Sequence, residues 1–387
     1  MSDWQVRIVN DITRIERSQW DALVGEESPF LEWDWLASLE EAGCVRAERG
    51  WSPQHLVVES AGRLVAACPL YLKGHSEGEF VFDHEWAYAA EGAGIAYYPK
   101  LLVAVPFTPA NGMRFLTAPG APRAELVRLL GEVLKHACAE NKLSSVHVNF
   151  CRQDEVEALR ELGFLERVGL QYHWENPGYA SFEDYLAAFR SKRRTKIRHE
   201  RHAVAEQGVT IRALHGEAIP DELVPTVYRL YKDHVDRLYW GRLYLNPEFF
   251  QLVAQRCRRN LCFVVAEREG RVIAGTFNVQ KRGVFYGRYW GAFEELPFLH
   301  FNVCYYAAIE HCIAGGLQRM EPGAGGDFKQ LRGFDPRPTR SMHYFAHPGL
   351  RDAVAKHLQR ERERVGLAIE HLNEQSQLKA EVRGAGG

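Results

Sequence analysis

The sequence predicts a mixed α/β (α+β) protein of two similar domains, each a mixed, mainly antiparallel sheet flanked by helices. Three observations carry this. The chain has 387 residues, enough for two domains of ordinary size. Residues 56–67, LVVESAGRLVAA, and residues 263–274, FVVAEREGRVIA, both read as an apolar strand, a polar turn containing Gly-Arg, and a second apolar strand. That is the pattern of a β-hairpin closed by a tight glycine turn. Around each hairpin the same elements recur in the same order.

In the first half an amphipathic helix is expected over residues 30–42, ahead of the hairpin. A Pro/Gly loop at 117–122 then leads into a helix over 122–140. A strand at 146–150 and a helix at 154–162, stopped by Gly163, follow. In the second half the first helix spans 247–259. Asn246 is a good N-cap, and Pro247 suits a first helical turn. The later helix, 299–314, ends at Gly315-Gly316. Agreement in order and spacing points to duplication of one α/β domain of about 170 residues. The expected boundaries are 1–178 and 179–349, with a basic linker helix at 182–207. A C-terminal helix and tail are expected at 350–380.

Composition excludes several classes. The apolar fraction is 46% and the charged fraction 25%, so a packed globular core is expected. A net charge of -2 argues against a protein that coats nucleic acid, while leaving room for a local basic patch. No run of about 18 apolar residues appears, and the first twenty residues do not read as a secretory signal. A cytoplasmic protein without stable membrane insertion is the expectation. The eight cysteines are scattered among apolar neighbours with no CxxC pair, which suits buried thiols rather than a zinc site.

The residues able to carry chemistry gather in the second half. Between Arg190 and Arg201 lie seven Lys or Arg and one acid, Glu200. On a helix, Leu186, Phe189, Ile197 and Val204 share a face, and Arg193 and Glu200 fall in its middle. A guanidinium there needs a partner: Glu200, or a phosphate or carboxylate of a ligand. The rest of the run reads as solvated surface. In the strand-like YGRYWG at 286–291, alternation puts Tyr286, Arg288 and Trp290 on one face and Tyr289 on the other. They read either as a half-buried strand or as a cleft floor, with Arg288 holding an anion beside stacked rings.

His300 sits near a helix N-terminus, where the dipole disfavours its cationic form. A neutral imidazole there is either a packing residue or a general base. Glu321, at the end of a strand, is the other candidate base. The glycine loop 321–329, with Lys329 and Arg332, lets consecutive N–H groups converge on an anion. His173, Trp174 and Asn176 precede the domain junction. Lys73, Asp83, His84 and Lys100 are polar residues in aromatic surroundings. The site expected is therefore His300 and Glu321 for catalysis, with Arg193, Tyr286, Arg288, Trp290, Lys329 and Arg332 for substrate. No Ser or Cys nucleophile with a neighbouring His is evident, so direct attack by an acceptor is favoured over a covalent intermediate.

The order helix, antiparallel hairpin, strands, helix, strand resembles the GNAT acyltransferase fold. Tandem pairing of such domains resembles the FemAB transferases. SPFLEWDWLASLE, QYHWENPGY, FRSKRRTKIRHER, YGRYWGA, LHFNVCYYAAIE and GAGGDFKQLRGF carry the resemblance, within residues 28 to 345. The family is the FemAB-like one of peptidoglycan biosynthesis or recognition. It implies two tandem GNAT-like domains and transfer of an aminoacyl or acyl group to an amine of a peptidoglycan precursor or similar small-molecule or peptide acceptor. The acyl donor it implies is aminoacyl-tRNA or acyl-CoA, with no other cofactor. The glycine loop that cradles the acetyl-CoA pyrophosphate in GNAT enzymes is missing from both halves. An acetyl-CoA-dependent N-acetyltransferase and a noncatalytic binding protein for anionic cell-wall-like ligands are the alternatives.

Overall fold

The computed structural model describes residues 4–239 and 241–379. The first three residues of the expected first domain and residue 380 of the expected tail lie outside them. The chain forms two units. One comprises residues up to Leu170 with Pro338–Ala368; the other comprises Gln171–Arg337 with residues from Ile369 onward. The chain thus changes unit at 170/171 and again at 337/338, whereas the sequence suggested 178/179 and 349/350. The difference arises because two strands near these points each contribute to a sheet that their own half did not begin.

The first unit contains β1 (Gln5–Val9), α1 (Arg17–Val24), α2 (Trp33–Glu41), β2 (Trp51–Pro53), β3 (His55–Ser60), β4 (Arg63–Cys68), β5 (Leu70–Lys73) and α3 (His84–Gly92). It continues with β6 (Lys100–Val103), β7 (Leu116–Thr117), α4 (Arg123–Glu140), β8 (Ser145–Val148), α5 (Gln153–Glu161) and the start of β9 (Leu165–Glu175). The expected hairpin is β3–β4, and its strands stand in the order β1-β3-β4-β7. β5 and β6 pair antiparallel and β6 and β8 parallel. The core joins both groups of strands to α4 and α5 through Leu56, Phe115, Leu130, Val146 and Leu159.

The second unit runs α6 (Phe182–Ala187), α7 (Ser191–Glu206), β10 (Val209–His215), α8 (Leu223–Arg237), α9 (Pro247–Arg256), β11 (Leu261–Arg268), β12 (Arg271–Lys281) and β13 (Val284–Ala292). Then come α10 (Leu299–Phe301), a π-helical stretch Asn302–Tyr306, α11 (Ala307–Ala314), β14 (Arg319–Glu321), a 3₁₀ turn Asp327–Arg332 and the start of β15 (Asp335–Phe345). The strand order is β10-β11-β12-β13-β14-β9. Asn246 caps α9 by accepting from the Phe249 N–H, as its sequence implied. The basic linker helix is a correction: α6 and α7 are separate helices, broken at residues 188–190, where Phe189 forms a β-bridge with Leu378.

Each unit repeats one scheme. An N-terminal strand pairs antiparallel with the first hairpin strand, β1 with β3 and β10 with β11. Each hairpin carries a register shift, at Val58/Glu59 and at Ala266/Glu267. Each has one parallel pair, β6 with β8 and β13 with β14. The last neighbours are exchanged. β8 is flanked by β15, which the chain makes after the second unit, and β14 by β9, which it makes before it. α12 (Pro348–Glu374) follows β15, where a C-terminal helix was expected. No helix among the described residues is long and apolar enough to cross a membrane. All eight cysteines are free, and seven are buried.

The first unit also buries a polar network. Lys100 Nζ donates to Ser76 Oγ (2.8 Å), Glu79 Oε2 (2.9 Å) and Asp83 Oδ2 (2.5 Å). Lys73 Nζ lies 3.6 Å from the Trp51 ring centroid and 3.9 Å from Glu79 Oε1. Burial pushes Lys73 down to about 7, although Glu79 opposes this, and pushes Glu79 up to about 7 against the pull of Lys100. His147 and His343 share a 2.6 Å Nδ1–Nδ1 hydrogen bond beneath Trp86. Burial first, then Lys100, holds His147 down at about 3; burial, then His147, holds His343 well below its ordinary value.

The sign of the linkage follows. The unfolded chain protonates these imidazoles near pH 6.5 and the folded chain does not, so stability falls as pH drops below 6.5. Glu79 acts oppositely, because its folded carboxyl takes up a proton first. His343→Asn is therefore expected to flatten the dependence of the urea midpoint on pH between about 4 and 6.5, by up to about 1.4 kcal/mol per pH unit. An unchanged slope would show that His343 titrates normally in the folded protein.

Candidate functional site

The candidate residues lie in the second unit, around β13, β14 and the turn that follows. β13 and β14 pair over only three residues, Val284–Tyr286 with Arg319–Glu321. A Cβ on Gly287 would lie 3.2 Å from Pro322 Cα, so glycine permits the close approach where pairing stops. On its other side β13 has a bulge: Phe277 faces Tyr289 and Asn278 faces Gly287, leaving Arg288 as the extra residue. The expected alternation therefore fails at Arg288. Tyr286 and Trp290 fall on either side of the bulge and do not share the predicted run of one face. Gly291 seats α8, since a Cβ there would come within 1.9 Å of Leu230 O.

Trp290 packs against His300, with ring centroids 5.1 Å apart. Tyr305 and Phe328 also border the imidazole, at 5.5 and 5.7 Å. Burial first, then Arg332, His234 and Lys329, pushes His300 down to about 4. The imidazole is neutral, as the sequence suggested, but burial and nearby cations account for it rather than the helix terminus alone. Arg288 donates to the Tyr289 hydroxyl at 3.3 Å.

Arg193 and Arg332 converge on Glu200. Arg332 Nη2 donates to Glu200 Oε2 at 2.7 Å, and Arg193 Nη2 stands 3.8 Å from Oε1. The Tyr306 hydroxyl also donates to Oε2. Arg193 Nε donates to Leu331 O at 2.5 Å and Arg332 Nη1 to Phe328 O at 2.9 Å. The Arg332 guanidinium lies 3.4 Å above the Phe301 ring. Asn302 Nδ2 donates to the Glu200 carbonyl, tying the π-helical stretch to α7. Two buried guanidiniums thus share one carboxylate, and Arg193 Nη2 and Arg332 Nε make no hydrogen bond.

Lys329 is 3% exposed and turns back into its own loop, donating to Gly323 O (2.7 Å) and Ala324 O (3.3 Å). Burial lowers its ammonium to about 8, with Cys304 pulling the other way. Gly323, Gly325 and Gly326 have φ of +83°, +71° and +89°, conformations that favour glycine. Burial raises the Cys304 thiol well above its ordinary value, so it is no ready nucleophile.

Glu321 pairs with Arg319 Nη2 at 3.0 Å, and its other oxygen lies 4.0 Å from His173 Nε2. Burial first, then Arg319, Arg337 and Lys329, pushes His173 down to about 3. Arg319 also hydrogen-bonds the Tyr286 side chain. The structure thus makes two groupings from the expected set: His300, Trp290, Lys329, Arg332 and Arg193 around the 3₁₀ turn, and Glu321 with Tyr286 around β14. The sequence reading missed Arg319, although it shares a strand face with Glu321 across Met320. Lys73, Lys100 and Asp83 belong to the first unit's buried network, and His84 is exposed, stacked on Phe82.

Residues 11–380 match the model of the FemAB-like family, described as peptidoglycan biosynthesis/recognition, and the chain belongs to that family. None of the curated proteins matches it. Among solved structures it is similar to FemX, at 12% identity and a TM-score of 0.55, covering 88% of this chain and 98% of that one. It is also similar to the C-terminal domain of a putative lysylphosphatidylglycerol synthetase from Agrobacterium fabrum (10% identity, TM-score 0.54, 88% and 95% covered). L-PGS from Bacillus licheniformis is a third (11%, 0.51, 83% and 94%). The fold is the mixed α/β one of tandem GNAT-like proteins.

Glu200→Gln should leave two buried guanidiniums without a counter-charge and cost about 3–5 kcal/mol of stability. Urea denaturation of the second unit's tryptophan signal measures it. A loss below about 1 kcal/mol would show that Arg193 and Arg332 find their compensation elsewhere.

Proposed function

We propose that the protein is an acyltransferase that passes an aminoacyl or acyl group to an amine of a peptidoglycan precursor or similar acceptor. One observation supports this above the others: the second unit buries two guanidiniums, Arg193 and Arg332, around a single carboxylate, Glu200. That surplus of positive charge suits an anionic donor, and Arg193 Nη2 and Arg332 Nε retain hydrogen-bonding capacity for it. Family membership and fold support the reaction class.

In this reading the amine attacks the carbonyl of a bound ester or thioester. The new C–N bond forms, the C–O or C–S bond breaks, and the amine proton passes by way of Glu321 to the leaving group. Lys329 and Arg288 hold the anionic parts of the donor, and His300 and Trp290 wall the cleft. Orientation and electrostatic stabilisation are the main contributions. The first turns of α7 add exposed cations at Arg190, Lys192 and Lys196, which suit the phosphates of an RNA-linked donor.

Incubation with aminoacyl-tRNA and a nucleotide-linked muropeptide, read by mass spectrometry, tests the reading. An aminoacylated muropeptide is expected. Acetylation from acetyl-CoA alone would identify an N-acetyltransferase instead, and binding without transfer a recognition protein. Arg288→Ala and Lys329→Ala should each weaken donor binding by roughly 10- to 150-fold in a folded protein. Normal binding by both would remove these residues from the site. Neutralising roughly 3–5 phosphates should make the log affinity for tRNA fall with log salt at a slope of about -2 to -4. A flat response would return the basic face of α7 to plain solvated surface.

A further inference from the structure

Past α12 the chain turns back onto the second unit. The N–H groups of Gln375 and Ser376 finish the helix by donating to His371 O and Asn373 O. Ser376 Oγ then accepts from the Leu378 N–H, and residues 376–379 run on as a short extended strap. The strap lies at the break between α6 and α7. Helix ends leave backbone groups in want of partners, and the strap supplies two. The Lys379 N–H donates to Ala188 O at 2.9 Å, and the Arg190 N–H donates to Gln377 O at 3.3 Å. Leu378 bridges to Phe189 between these bonds, and both side chains are buried.

The same segment grips the turn that carries Lys329 and Arg332. The Gln330 side-chain amide donates to Leu372 O, in the last turn of α12. Gly333 closes the turn at φ +76°, and a Cβ there would lie 3.0 Å from the Phe189 ring and 3.5 Å from Leu378 Cδ2. Glycine therefore lets both side chains settle on the turn. Phe189 meets Tyr185 edge-on, with ring centroids 5.0 Å apart, and the Tyr185 hydroxyl donates to Arg332 O at 2.9 Å. On the other side, Arg190 O accepts from the Arg193 N–H at 3.0 Å. One short segment is thus bonded both to the start of α7 and to the turn.

We propose that residues 372–379 are a latch that holds Arg193 and Arg332 together at Glu200. The need for one follows from charge. Two guanidiniums share one carboxylate, so one positive charge is in excess, and like charges repel. Arg193 rides on α7 and Arg332 on the turn, so the repulsion acts to part these two elements. Glu200 resists it unevenly: Arg332 Nη2 is 2.7 Å from one oxygen, while Arg193 Nη2 is 3.8 Å from the other. The latch bonds both elements and opposes their separation. Its contacts are backbone, amide and apolar, so salt does not screen them. The acyltransferase reading gives the latch its place in catalysis, because it holds the cations assigned to the donor, but the latch is testable without that reading.

Solvent exchange of the arginine Nε–H protons, read by NMR on the full chain labelled with ¹⁵N-arginine, reports on the pair directly. Leu378→Ala removes the apolar anchor. It is expected to speed exchange at Arg193 and Arg332 more than tenfold, while the amides of β11 and β12 keep their wild-type rates. Lys379→Pro is the milder variant, and it serves should Leu378→Ala fail to fold. It deletes only the N–H that Ala188 O accepts, and should speed the same two protons about fivefold. Leu378→Ile keeps the anchor and should leave both at the wild-type rate. Wild-type exchange at both arginines in Leu378→Ala and Lys379→Pro would overturn the latch. So would a uniform acceleration that includes β11 and β12, which marks simple loss of stability. Loosened arginines with undiminished binding of aminoacyl-tRNA uphold the latch and count against the donor reading. Unmoved arginines alongside acyl transfer sink the latch and leave the acyltransferase standing.

Discussion

The interior of the second unit hangs on Glu200. Its carboxylate meets Arg193, Arg332 and Tyr306, and its carbonyl accepts from Asn302. One residue thereby fastens α7, the π-helical stretch and the turn carrying Lys329. Removing such charges from water costs several kcal/mol per ion, which favourable geometry only partly returns. Two guanidiniums on one carboxylate leave that sum unbalanced. A packed apolar alternative of similar volume is often as stable or more so, so this cluster is weak evidence of a stabilising device.

Burial and positive charge together set the protonation of two histidines in this unit. His300 and His173 are both held neutral, each by burial first and by nearby cations second. In the first unit the charges are arranged differently. Lys100 sits between two carboxylates, and burial, which alone would raise Asp83, is outweighed by Lys100 and His147. Beyond the parallel pair there, Arg114 donates to three backbone carbonyls, at 2.6, 2.9 and 2.6 Å. Its guanidinium is only 1% exposed and fills the ground that follows β8. Two copies of one scheme have thus put their buried cations to different uses.

Much of the architecture was legible in the sequence. The hairpins, their preceding helices, the cap at Asn246 and the helix ends at Gly163 and Gly315 are local signals, set by turn geometry and apolar period. The inward direction of Arg193 and Glu200 was legible too, from helical spacing alone. What was not legible depends on pairing between distant strands. The bulge at Arg288 is a relation between β12 and β13, invisible in either strand. The approach of His173 to Glu321 joins residues far apart in the chain. The break between α6 and α7 coincides with Phe189 pairing with Leu378, which no window around residue 189 contains. Lys329 was read as a residue that holds an anion; its turn toward the carbonyls of its own loop has no side-chain signature.

The exchange of β9 and β15 bears on how the chain is made. β8 emerges early from the ribosome, but its neighbour β15 lies nearly two hundred residues later. By the time Met342–Phe345 can reach Ser145–Val148, the whole of Gln171–Arg337 has already been synthesised. The strands of the unit that begins translation are therefore the last to find all their neighbours. An early-folding first half must wait with an open strand edge while the second half, which has β9 ready beforehand, closes its sheet.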